Sequence, residues 1–166
     1  IVLIAAGIFG FNYYKAGQSY AENYIKALYC IKMGVETNVN ACSTLKTEWE
    51  TASGLGRSFT PGTIIKDEAK SLRLRSEADK FMQKMSNPPK RFLSANEGLT
   101  KIHGIFMETE SLVQSKPNSL QELTNSVDNI NKKMTLASQD LKSKLPDSLK
   151  QDLEKAKLKY RGLNNF

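Results

Sequence analysis

The sequence is poor in several things that particular folds and chemistries require. Valine occurs five times in 166 residues, and no period-2 run is enriched in β-branched residues, which argues against a sheet protein. A single histidine, His103, excludes a His-rich metal centre, and two cysteines exclude a disulfide-dense scaffold. There is no CxxC for a zinc ribbon or a thioredoxin-type redox site. Gly54-Leu55-Gly56 lacks the third glycine and the preceding strand of a dinucleotide loop, and reads as an inter-helix loop. Glu48 with Glu50, and Glu108 with Glu110, are spaced two apart and point in different helical directions, which reads as solvated faces. His103 has no marked nucleophile or carboxylate partner and reads as a boundary histidine. These observations point to no catalytic residue, no metal and no cofactor.

What the chain does contain is helix-forming. Leu, Ile, Val and Phe number 40 of 166, enough for a core, and the net charge is +7 with a pI near 9.4. Ile1 to Phe11 carries no charged or polar side chain and is followed by Asn12-Tyr13-Tyr14-Lys15. A span needs about 20 apolar residues, so this run suits part of a membrane anchor ending in interfacial residues. A signal segment cleaved near Ile4-Ala5-Ala6 and a buried core helix are the alternatives. The expected organisation is a partial anchor or signal over 1–14, a helical bundle over 15–163 and a tail over 164–166.

Tyr13, Gly17, Tyr20, Tyr24, Ala27 and Ile31 fall at alternating steps of four and three, one face of a helix continuing from the apolar run. Its Tyr13, Tyr20 and Tyr24 are candidates for a partner-facing or pocket-lining surface. Gly34 suits a helix end and Thr37 or Asn38 a new start, so a reversal near Glu36 is expected. That hairpin would place Cys30 opposite Cys42, stapled by a disulfide; two free buried thiols are the alternative. A short helix around 40–53 carries Trp49. Thr60-Pro61 opens the next helix, with Leu74, Ala78, Phe81 and Met85 inward. The Lys and Arg residues of this helix, interleaved with Asp67, Glu68, Glu77 and Asp79, read as solvated surface.

After Asn87-Pro88-Pro89, a seam of Phe92, Ala95, Leu99, Ile102, Phe106 and Val113 runs to Ser115. Ser119-Leu-Gln-Glu122 is a capping box. It precedes Leu120, Leu123, Val127, Ile130, Met134, Ala137 and Leu141, spaced by threes and fours. Beyond Pro146 come Leu149, Leu153, Ala156, Tyr160 and Leu163. The fold class is therefore all-α, an elongated up-and-down bundle with coiled-coil-like seams and an N-terminal anchor or signal helix. Counting reversals returns the C-terminus to the bilayer. There Lys150, Lys155, Lys157, Lys159 and Arg161 would meet anionic headgroups or an acidic partner, or simply oppose a helix macrodipole.

The layout looks like that of several membrane-tethered extracytoplasmic proteins. The reading is a non-enzymatic interaction or scaffold module of the cell envelope. It would be membrane-anchored on the periplasmic or extracellular side, with a protein partner, room for a homo-oligomer and no nucleic acid. A four-helix ligand-binding sensor domain of chemoreceptor or sensor-kinase type, and a spanin-like envelope protein, are the alternatives.

Overall fold

The computed structural model describes residues 2–60, 68–115, 117–164 and 166, with side chains from residue 17 onward. Five helices pack together: α1 (Val2–Gly54), α2 (Glu68–Lys84), α3 (Leu93–Gln114), α4 (Leu120–Lys144) and α5 (Asp147–Lys157). Single 3₁₀ turns occupy Lys90–Phe92 and Arg161–Leu163, and there is no strand among the described residues.

The largest departure from expectation is α1. It runs for 53 residues without a break, about 80 Å at 1.5 Å per residue. The residues that suggested a reversal are used for packing instead. Gly34 is where the Phe106 ring of α3 lies on the α1 backbone, and a Cβ there would overlap that ring. Thr37 donates its hydroxyl back to the Met33 carbonyl at 2.7 Å, so it caps nothing. Asn38 is buried and donates to Thr109 Oγ1 at 3.0 Å. Cys30 and Cys42 consequently sit in one straight helix, about 18 Å apart along its axis. No disulfide forms: both are buried free thiols.

The helix stops where glycine is required by backbone geometry. Gly56 has φ 65°, the left-handed conformation. Around it Arg57 N donates to Ala52 O at 2.9 Å and Gly56 N to Ser53 O at 3.0 Å, the paired bonds of a Schellman motif. Gly54-Leu55-Gly56 is thus a helix terminator. The Trp49 segment belongs to α1, and the Thr60-Pro61 helix start lies outside the described residues.

The other helices alternate direction along this spine. α2 runs antiparallel to it, with Lys26 over the Phe81 ring at 5.7 Å near the helix end and Asn38 beside Ser71 near its start. α3 runs parallel, as Tyr24 Oη donates to Ala95 O at 2.9 Å and Asn38 pairs with Thr109. α4 returns, tied to α3 by Lys133–Glu108 at 2.6 Å and Lys101–Asp140 at 3.3 Å. Its start is capped as the sequence predicts: Ser119 Oγ accepts from Glu122 N at 3.1 Å, while Glu122 reaches back to Asn118 N at 2.9 Å. α5 packs on α1, and the chain ends against the middle of α1. There Lys32 Nζ donates to Gly162 O, and the Tyr29 and Tyr160 rings lie 4.9 Å apart.

The main core contains Tyr24, Leu28, Ile31, Phe92, Leu99, Ile102, Phe106, Leu141, Leu149 and Leu163. A smaller cluster of Cys42, Leu45, Val113, Leu123 and Val127 sits toward the far end of α1. Phe166, expected in a tail, is buried in the main core. Residues 2–14 open α1 and form no separate element, and no helix among the described residues is long and apolar enough to cross a membrane. The apolar start of α1 is followed within the same helix by Lys15, Gln18 and Glu22.

The close approach at Gly34 makes a two-sided prediction. Gly34→Ala should lower unfolding free energy by about 1–3 kcal/mol, because the Phe106 ring is itself fully buried and cannot yield. Gly104→Ala, at an open helical position of α3, should raise it by about 0.5–1 kcal/mol. Urea denaturation of both variants checks this; equal effects of the same sign would remove Gly34 from its packing role.

Candidate functional site

Tyr20 and Tyr24, expected to face a partner or line a pocket, are turned inward. Tyr20 stacks on Phe92 with centroids 4.7 Å apart and planes 8° from parallel, and its hydroxyl donates to Asn96 Oδ1 at 3.1 Å. Tyr24 is almost wholly buried. Burial raises the pKa of both phenols above the ordinary value. The Tyr13 side chain lies outside the described residues.

The C-terminal cations, which one continuous helix would pair on shared faces as Lys155 with Lys159 and Lys157 with Arg161, are divided by a helix end. α5 ends at Lys157, so Lys159 and Arg161 leave the helix and share no helical face with Lys155 and Lys157. Lys150 pairs with Asp147 at 3.3 Å, Lys155 with Asp152 at 3.9 Å and Lys157 with Glu154 at 2.7 Å. Lys159 lies 5.4 Å from the centroid of the Tyr160 ring, and Arg161 is exposed. The segment after α5 lies by the middle of α1, with Tyr160 against Tyr29 and Gly162 against Lys32.

The bundle brings together a polar seam between α2 and α3 instead. Arg75, projecting from α2, reaches Glu110 on α3 and also Asp79 Oδ2 at 2.9 Å. Asp79 Oδ1 lies 2.9 Å from His103 Nε2, close but not aligned as a hydrogen bond. Glu110 is therefore no solvated residue: only 11% of its side chain is exposed, while Glu108 faces outward to Lys133. Helical phase separates these two glutamates, and only the position of α2 decides which is buried. Arg75 and Asp79, read as solvated surface, join α2 to α3. The i,i+4 spacing of Arg75 and Asp79 was the one trace of the seam in the sequence.

Three buried polar atoms among the described residues have no hydrogen-bond partner: Ser71 Oγ, Glu110 Oε1 and His103 Nε2. All belong to this seam. Ser71 and Glu110 line a cavity of about 30 Å³, shared with Asn38, Glu68, Leu72, Val113 and Gln114. No group of His, Cys, Asp and Glu able to hold a metal ion occurs among the described residues.

Two larger concavities lie elsewhere. A groove of about 520 Å³ runs between α1 and α4, floored by Val35, Val39 and Met134 and edged by Lys32, Lys142 and Phe166. Lys32 Nζ is held there by Gly162 O and by Glu36 Oε1 at 3.2 Å. At the far end of α1, a groove of about 490 Å³ is lined by Thr47, Thr51, Leu55, Arg57 and Phe59. Trp49 packs on Phe59 beside it, with ring centroids 5.3 Å apart, and Leu55 is 62% exposed.

No family model matches the chain, and no match was found among curated proteins or solved structures.

Two predictions follow from the buried polar groups. Burial pushes both thiols up to about 11, with Glu77 adding to the effect at Cys30. Thiolate is the reactive form, so native protein at neutral pH should label slowly with a thiol reagent and rapidly once denatured. Ionisation favours the unfolded chain, so the stability these thiols contribute should fall as pH rises past their ordinary value toward the folded one. Rapid native labelling, or a mass gain on reduction, contradicts the buried free thiols. Separately, Thr109→Val should cost about 1–3 kcal/mol by leaving the buried Asn38 amide without its acceptor, while exposed Thr100→Val should cost far less. Urea midpoints at constant m-value measure the difference.

Proposed function

We propose that the protein is a non-enzymatic interaction or scaffold module of the cell envelope, docking its partner at the far end of α1. The observation that carries this reading is the Trp49–Leu55–Phe59 cluster. It sets an exposed leucine beside two aromatic rings at the end of a continuous helix, over the groove containing Thr47 and Thr51. α2 and α3 hold the middle of this helix, from which its far end projects as a continuous extension. In this reading the uncharged stretch Ile1–Phe11 tethers the module to a membrane on its periplasmic or extracellular side. The support for that is the composition of the stretch alone.

A ligand-binding sensor domain is the second reading, favoured by the groove between α1 and α4. Its volume of about 520 Å³ falls in the range of small-molecule sites, and it combines an apolar floor with Lys32 and Lys142 at its edge.

A photo-crosslinking residue placed at Leu55 tests the docking end in the native cell. Position 136 serves as control, since Leu136 on α4 is 57% exposed and lies away from that end. The docking reading expects a discrete protein adduct from position 55 and none from position 136. Adducts from neither position, or equally from both, would count against it.

A further inference from the structure

We propose that the small cavity between the start of α2 and the end of α3 binds the ammonium head of an alkylamine, such as a polyamine or a lysine side chain. The inference is independent of the docking end of α1 and rests on an anomaly in hydrogen bonding. Buried polar atoms in folded proteins are almost always paired, and each exception asks for a physical reason. Here two exceptions face one space. Ser71 is 6% exposed, its Oγ has no partner, and it lines the cavity together with Glu110, whose Oε1 has none either.

The second oxygen of Glu110 is already engaged by Arg75, which is shared with Asp79. The group that satisfies the cavity must therefore donate to Glu110 Oε1, and the Ser71 hydroxyl oxygen can accept from the same group. A primary ammonium has three N–H donors and no acceptor, which matches a carboxylate oxygen and a hydroxyl oxygen. Its charge is matched as well. Glu68 and Glu110 line the cavity, and the adjoining trough adds Asp79, so three carboxylates face the two cations of the trough, Arg75 and Lys80. Nearby Lys80 lies 2.8 Å from Glu77.

Size and surroundings select the rest of the ligand. The cavity volume of about 30 Å³ admits a head of a few atoms and no more. It adjoins a shallow surface trough of about 620 Å³ along α2, and the two share Leu72, Glu110 and Gln114. Leu72 is half exposed at this junction, an apolar rest for an unbranched methylene stem. A water molecule could bridge the two oxygens but would make no use of the excess negative charge or of the exposed leucine.

The test is titration of the folded protein with butylammonium, followed by amide resonances of Ser71, Leu72, Glu110 and Gln114. Butanol and butyrate serve as controls of equal chain length. Saturable shifts confined to these residues with butylammonium, and none with the controls, are expected. Ser71→Ala leaves the Arg75–Glu110 pair intact and should weaken the interaction about tenfold, and Glu110→Gln at least as much. Circular dichroism confirms that each variant remains folded. Butanol acting as well as butylammonium, absence of shifts, or unchanged affinity in folded Ser71→Ala would overturn the proposal. So would a crystal grown with the amine that shows only an ordered water between Ser71 and Glu110. Parallel titrations with 1,4-diaminobutane and with a lysine-containing peptide decide whether the natural source is a free amine or a protein.

Discussion

The rest of the bundle depends on the contact between the Phe106 ring and the bare backbone at Gly34. An aromatic ring can lie on a helix backbone only where no Cβ intervenes, and here it brings α3 close to α1 at mid-height. One turn further along, this proximity lets Asn38 reach Thr109; several turns earlier, Tyr24 reaches the Ala95 carbonyl. The three contacts fix the axial register of α3 on α1. Because α4 follows α3 after a tight connection, its register is set by the same alignment, as Lys133–Glu108 and Lys101–Asp140 record. Gly34 is also why α1 is a single helix. Its helix propensity is unfavourable by about 1 kcal/mol, an amount that burial of a phenylalanine side chain readily exceeds.

That balance explains which parts of the fold were legible in the sequence. The seam from Phe92 to Val113 and the capping box at Ser119 depend on local periodicity and local hydrogen bonds, and both occur where the pattern puts them. The helix pair α3 and α4 follows from them. The reversal near Glu36 was misplaced because glycine, threonine and asparagine carry the same local signal whether they end a helix or contact a neighbour within one. Only the tertiary partner distinguishes the cases, and Phe106 lies 72 residues away in sequence. The error then spread. Removing one reversal changes the sense of the helices that follow, and the segment after α5 meets α1 at Tyr29 and Lys32, through Tyr160 and Gly162.

The polar seam was hidden for a related reason. A charge pattern shows which residues share a helix face, but not whether that face meets solvent or another helix. Glu108 and Glu110 have equivalent sequence surroundings; one pairs with Lys133 at the surface and the other is enclosed by Arg75. The tyrosines show the converse. The regular spacing put Tyr20 and Tyr24 on a common face, but that face packs on Phe92 and Ala95 and belongs to the core.

The continuity of α1 imposes a length rule on the protein. Each residue advances a helix by 1.5 Å and rotates it by about 100°. Between Tyr20 and Leu45, a single inserted residue would turn the face that meets α3 toward another neighbour, so contacts on the two sides of the insertion could not both survive. Beyond Leu45 the constraint relaxes to the relative orientation of the Trp49 end. Seven residues make nearly two complete turns, so that end can be moved outward by about 10 Å while keeping almost the same azimuth. The distance from bundle to tip is therefore adjustable in steps, as on a ratchet, with the helical repeat setting the size of each step.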